Sequence, residues 1–92
     1  VEVQDRLVKY LDVLEQAGCT VTSIASIGNG CPDLLVGYGG STFLLEVKIP
    51  GEKFTDKELG WCSKWKGLPV SVVRDEFEAI EAVGIKVWPA SI

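Results

Sequence analysis

The chain has 92 residues, 47% hydrophobic and 24% charged, with a formal net charge of −4; these totals suit one small folded domain and exclude a disordered chain. It contains no histidine, and its three cysteines, Cys19, Cys31 and Cys62, form no CxxC pair, which excludes histidine-based nucleophilic catalysis and histidine-ligated zinc and argues against a disulfide framework. No apolar run approaches the roughly 20 residues of a membrane span and the N-terminus does not read as a secretory signal, so a cytoplasmic protein without a membrane partner is expected, its cysteines acting as small buried hydrophobes.

Residues 3–17 carry Val3, Leu7, Val8, Leu11, Leu14 and Ala17 at helical spacing, with Asp5, Lys9, Asp12 and Glu15 off that stripe. Gly18 offers the left-handed position that ends such a helix. Gln4 should face inward at the helix start, either as a partly buried polar residue or as an accessory group of a site. Residues 21–27 are rich in β-branched side chains and predict a strand. Gly28-Asn29-Gly30 then breaks the chain, as a turn or as a loop open enough for a phosphate backbone to approach.

The stretch from Gly30 to Lys48, GCPDLLVGYGGSTFLLEVK, reads as a hairpin turning at Gly39-Gly40. Pairing Tyr38 with Ser41 and counting back puts Asp33 directly opposite Glu46, and Lys48 faces the same way as Glu46 because it lies two residues on. Leu34, Val36, Phe43, Leu45 and Val47 form a wholly apolar face; Asp33, Leu35, Leu44, Glu46 and Lys48 form the other. Two mostly apolar faces imply a central place in a sheet covered on both sides. Like charges opposed across strands are destabilising, so the acidic pair requires a compensating partner.

Pro50-Gly51-Glu52-Lys53 reads as an exposed loop. Thr55 and Glu58 match a capping box, opening a helix to about Lys66 with Trp61, Cys62 and Trp65 inward. Glu58 is thereby either a capping residue or a contact of the metal-bound water or the substrate. Residues 69–73 predict a short buried strand; Asp75 caps a helix holding Phe77, Ile80 and Val83 and closed by Gly84, and residues 85–88 predict a brief last strand. The order is helix, three strands, helix, strand, helix, an α/β or α+β sandwich around a mixed sheet and a single domain over residues 1–92.

Pro32-Asp33, twelve intervening residues and Glu46-Val47-Lys48 form the candidate constellation. It is either a buried ion cluster or a site in which Asp33, Glu46 and the Val47 backbone carbonyl hold Mg²⁺ or Mn²⁺ through oxygen. In that site the ion acidifies a water, and Lys48 orients or helps deprotonate it and stabilises the transition state of phosphodiester attack. The net charge is unfavourable for a nucleic-acid partner, yet five of the nine basic residues, Lys48, Lys53, Lys57, Lys64 and Lys66, fall between positions 48 and 66.

These residues resemble the PD-(D/E)xK nuclease superfamily, and the chain is similar over nearly its whole length to a minimal VRR-NUC domain of the stand-alone phage or bacterial kind. The similarity runs through the hairpin, WCSKWKGLPVSVV and EFEAIEAVG. The resemblance implies a restriction-endonuclease-like core and Asp33, Glu46 and Lys48 as the catalytic set. It also implies DNA endonuclease activity, often on branched DNA such as Holliday junctions or flaps, and a homodimer. A frequently acidic position of the family falls on Gln4, and a common glutamine appears as Glu58. Lys53, Lys57 and Lys64 are the candidate DNA contacts. The competing expectation is a non-catalytic DNA-binding or assembly subunit on the same scaffold.

Overall fold

The computed structural model describes residues 2–86, with side chains from Arg6 onward. Helix α1 (Glu2–Gln16) leads into β1 (Thr20–Ser23), a 3₁₀ turn at Ala25–Ile27, β2 (Leu34–Tyr38), β3 (Ser41–Val47), α2 (Asp56–Lys64), β4 (Ser71–Val73) and α3 (Glu76–Ala82). This is an α+β fold with the expected order of elements. The sheet runs β1-β2-β3-β4, with β1, β2 and β3 antiparallel and β4 parallel to β3. The hairpin is therefore central. Its Gly39-Gly40 turn has φ of 59° and 82°, the two left-handed residues that a tight hairpin turn needs, and Tyr38 pairs with Ser41 as counted.

One face of the sheet carries the core. Leu34, Val36, Leu45, Val47 and Val73 are buried against Leu7, Tyr10 and Leu14 of α1 and Ala79 and Val83 around α3. Burying such side chains gives roughly 1.5–3 kcal/mol each before the entropy of ordering is subtracted. Gly18, at φ 99°, ends α1 while the Cys19 N–H donates to the Leu14 carbonyl at 3.0 Å, which satisfies a terminal carbonyl of the helix.

Several expectations need correction. Val8, read into the apolar stripe of α1, is 61% exposed, because α1 turns Leu7, Tyr10 and Leu14 to the sheet and α3, a narrower stripe than its apolar residues could cover; Phe77 of α3 is likewise 63% exposed, and Ala79 is buried. The strand expected over 21–27 stops at Ser23 and tightens into the 3₁₀ turn. Helix α2 ends at Lys64, has no buried residue, and leaves Trp65 43% exposed; the second sheet face is thus only partly covered, with Leu35 in solvent contact. Only Cys19 is buried, Cys31 and Cys62 being half-buried. Ile85 and Lys86 are not in a strand, and the rest of the expected last strand, 87–88, lies outside the described residues.

Candidate active site

The site lies where the central strands end. Leu34↔Leu45 is the last ladder pair between β2 and β3. One residue further, the Asp33 N–H donates to the Leu45 carbonyl at 3.1 Å instead of pairing with Glu46. Asp33 and Leu34 thus both lie against Leu45, a bulge-like slip that corrects the expected direct opposition of Asp33 and Glu46. Pro32 has no N–H with which to prolong the ladder. The Asp33 side chain takes over that role: its Oδ2 accepts from the Val47 N–H at 2.9 Å.

The same accounting bears on the Val47 carbonyl, which alternation points toward β2. Asp33 has spent its N–H on Leu45, Pro32 has none, and the Cys31 N–H donates to the Gly28 carbonyl at 3.1 Å. The end of β2 therefore offers the Val47 carbonyl no backbone donor.

Glu46 and Lys48 are each only 4% exposed. The N-terminal end of α2 covers them through Glu58. Its Oε1 accepts from Lys48 Nζ at 2.7 Å and from the Thr55 N–H at 2.9 Å, while its own N–H donates to Thr55 Oγ1 at 3.2 Å. The capping reading of Glu58 holds, and the same capping box that starts α2 aims the carboxylate at Lys48. Lys48 Nζ is also 3.5 Å from Glu46 Oε2 and 3.9 Å from Glu52 Oε2, and it stands 5.6 Å from the centre of the Phe54 ring.

Arg6 and Glu52 also belong to the cluster, although sequence reasoning did not place them there. Arg6 Nη1 donates to Glu52 Oε1 at 3.0 Å, which also accepts from the Ile49 N–H at 3.0 Å. The turn after Ile49 is consequently a built corner, with Glu52 half-buried. Its i+4 distance from Lys48 was the available signal, masked by the Pro-Gly loop between them. Arg6 lies 46 residues from Glu52 in the chain and gave no local signal. The Gln4 side chain lies outside the described residues.

Electrostatically the site holds four acids, Asp33, Glu46, Glu52 and Glu58, around two cations, Arg6 and Lys48. Burial, a hydrogen bond shared with Glu58, and the charges of Asp33 and Glu58 push Glu46 from 4.5 up to about 8, against the opposing pull of Lys48. At neutral pH it holds a proton. Burial also raises Asp33, despite the Val47 N–H on its carboxylate. Burial works against the Lys48 ammonium, but the hydrogen bond to Glu58 and the charges of Glu58, Glu46 and Glu52 together raise its pKa. Glu58 is lowered because burial is outweighed by its bonds to Lys48, the Thr55 N–H and Glu46. Lys48 is therefore a fixed cation and a poor base.

No three Asp, Glu, Cys or His side chains gather as a ready-made metal cage among the described residues. Two carboxylates and a backbone carbonyl are nonetheless a hard-oxygen donor set, and Mg²⁺ commonly takes only one or two carboxylates and leaves its other positions to water and phosphate. A divalent ion would replace the proton on Glu46 and offset the surplus of acid over cation.

The Gly28-Asn29-Gly30 loop braces the site. Gly30, at φ 85°, lies against the Lys57 carbonyl and the Glu58 N–H of α2, where a Cβ would overlap both. The loop's open backbone receives a helix. Lys53, Lys57 and Lys64 are exposed on the α2 side, outside the cluster. Compared with protein-family models, curated proteins and solved structures, the chain matches none of them.

Proposed function

We propose that this chain is a metal-dependent DNA endonuclease of the PD-(D/E)xK type, a VRR-NUC-like domain with a restriction-endonuclease-like core, acting on branched or otherwise structured DNA. One observation carries the reading: Lys48, a cation, and Glu46, a carboxyl kept protonated by burial and the acid around it, are both buried at the end of the central strand, beside Asp33, with more acid around them than cation. A buried ion cluster is a weak device for stability. Charge of this kind is better explained by chemistry that needs it.

In this reading Asp33, Glu46 and the Val47 carbonyl would hold Mg²⁺ or Mn²⁺. Such an ion, when bound, supplies Lewis-acid stabilisation of the scissile phosphate and an acidified water. Glu46 would have to be ionised to hold such an ion, and its proton would go to solvent. Lys48, kept charged and aimed by Glu58, donates to the phosphate oxygen on which negative charge grows. Its role is thus electrostatic, and the water-deprotonating role expected from sequence is not part of the proposal. Thr55 and Gly30 position Glu58 from outside the reacting centre. Lys53, Lys57 and Lys64 neutralise phosphates along the strand.

A homodimer fits this function, because two sites related by a two-fold can cut both strands of a symmetric junction. Exposed Val8, Leu35 and Phe77 leave apolar surface for it. A monomer mass by light scattering at tens of micromolar would remove this part of the proposal. Among the described residues no helix is long and apolar enough to cross a membrane. Action on DNA in the cytoplasm is part of the proposal.

The test is cleavage of labelled duplex, flap and four-way-junction DNA with Mg²⁺, Mn²⁺ or EDTA. Metal-dependent cutting that Lys48→Ala abolishes is expected; no cutting of any substrate rejects the reading. A non-catalytic DNA-binding or assembly subunit is the second reading. It is favoured by the self-contained bonding of the cluster, in which no buried side-chain polar atom lacks a partner among the described residues. It predicts DNA binding without turnover and Mg²⁺ binding unaffected by Asp33→Asn.

A further inference from the structure

On α2, Lys57, Gly60, Trp61 and Lys64 fall at i, i+3, i+4 and i+7 and so share one face of the helix. With Asn29 they line a shallow hollow of about 300 Å³. Trp61 stacks on Trp65, ring centres 4.9 Å apart and planes 20° from parallel. Trp65 is anchored by its indole N–H, which donates to the Leu68 carbonyl at 2.8 Å, and its ring lies against Gly67. The pair is thereby a fixed aromatic platform. Gly60 adds no side chain, and a Cβ there would meet nothing within 4 Å. Asn29, held at φ 55° on the braced loop, brings an amide to the rim.

Lys57 and Lys64 give this face local positive charge on an acidic protein. Among the described residues Lys9 and Lys48 are ion-paired, whereas Lys57 and Lys64, like Lys53, Lys66 and Arg74, form no ion pair, and these two flank Trp61. Unneutralised lysines beside an open indole suit a ligand with a flat apolar ring next to a phosphate. Glu58, which holds Lys48, lies three residues before Trp61 on the same helix, a rise of about 4.5 Å. The hollow therefore adjoins the candidate active site.

We propose that this face is a subsite for an unpaired nucleotide of a DNA strand, its base stacked on Trp61 and its phosphates held by Lys57 and Lys64. Stacking on an aromatic needs an unpaired base and tolerates any sequence. The inference deepens the nuclease reading, on which it rests for the identity of the strand: the preferred substrate carries a single-stranded nucleotide beside the scissile bond, as a flap does, in preference to continuous duplex.

The test is binding in EDTA, where cleavage plays no part. A labelled oligo-dT of about 12 nucleotides and an abasic strand of equal length and charge are titrated by fluorescence anisotropy. Oligo-dT should bind about tenfold more tightly, the worth of roughly one stacked base. Gly60→Leu should fill the hollow and bring oligo-dT to the abasic level. It should also keep or raise the unfolding midpoint, since glycine is a poor helix former. Lys57→Gln and Lys64→Gln should weaken both strands alike and flatten the salt dependence. Equal affinity for the two strands, or oligo-dT affinity unchanged by Gly60→Leu in a folded protein, overturns the subsite. Stacking-dependent binding without cleavage of any DNA would reject the nuclease and keep the subsite; metal-dependent cleavage without base-dependent binding would do the reverse.

Discussion

Metal-free protein should lose stability as the pH rises through neutrality, and Glu46 is the reason. Its carboxyl is held at about 8 against an ordinary 4.5, so between those values the folded state binds a proton that the unfolded state has released. Stability then falls with rising pH: the contribution is whole below about 4.5 and gone above about 8. The gap of about 3.5 on the pH scale corresponds to at most roughly 5 kcal/mol, a large part of a small domain's total. Asp33, also raised, acts in the same sense. Lowered Glu52 and Glu58 act the other way, but their contribution is lost as pH falls below the ordinary 4.5; raised Lys48 loses its contribution only above its ordinary 10.5. Neither effect falls in the window from 5 to 8. Urea denaturation in EDTA across that window measures the slope. Glu46→Gln, neutral and of the same shape, should flatten it and be the more stable protein at pH 8. Stability that is flat or rises from pH 5 to 8, or a slope that Glu46→Gln leaves alone, refutes the electrostatic account.

Mg²⁺ or Mn²⁺ should displace that proton, so calorimetry at pH 7 in buffers of different ionisation enthalpy should show proton release on binding, and Asp33→Asn should weaken binding by tenfold or more, about 1.4 kcal/mol. Gly30→Ala should cost about 2–4 kcal/mol by urea denaturation, because the residue has positive φ and its Cβ would overlap the α2 backbone. Thr55→Ala should cost about 1 kcal/mol of stability through the lost cap. Glu58→Gln, which retains a cap acceptor but lacks the anion facing Lys48, should lower cleavage more than it lowers the unfolding midpoint.

Local chemistry made much of this molecule legible. Gly39-Gly40 determined the turn type and with it the register from Tyr38↔Ser41 to Leu34↔Leu45. Thr55 and Glu58 marked the start of α2, and Asp75 the start of α3, where its side chain accepts from the Glu78 N–H at 2.8 Å. The register failed at Asp33 because a side-chain bond to Val47 replaced the ladder beyond Pro32. The cap at Glu58 was legible, whereas its bond to Lys48 was not, because ten residues of chain separate two groups that one oxygen joins: Oε1 accepts from both the Thr55 N–H and Lys48. Arg6 and Glu52 were missed since their meeting depends on how α1 lies across the sheet end, which no local pattern specifies. Val8 was set in the apolar stripe of α1 by periodicity, but periodicity cannot say how wide a stripe the neighbouring elements will cover.

The most direct test of the central claim is single-turnover cleavage of a labelled flap in Mn²⁺ and in EDTA, by the wild-type chain, Lys48→Ala and Asp33→Asn, each variant first shown to unfold cooperatively. Cutting in Mn²⁺ alone, slowed at least about 100-fold by either substitution, is the predicted result. Cutting that persists in EDTA, or that folded Lys48→Ala performs at the wild-type rate, would contradict the assignment of the Asp33, Glu46 and Lys48 cluster as the active site.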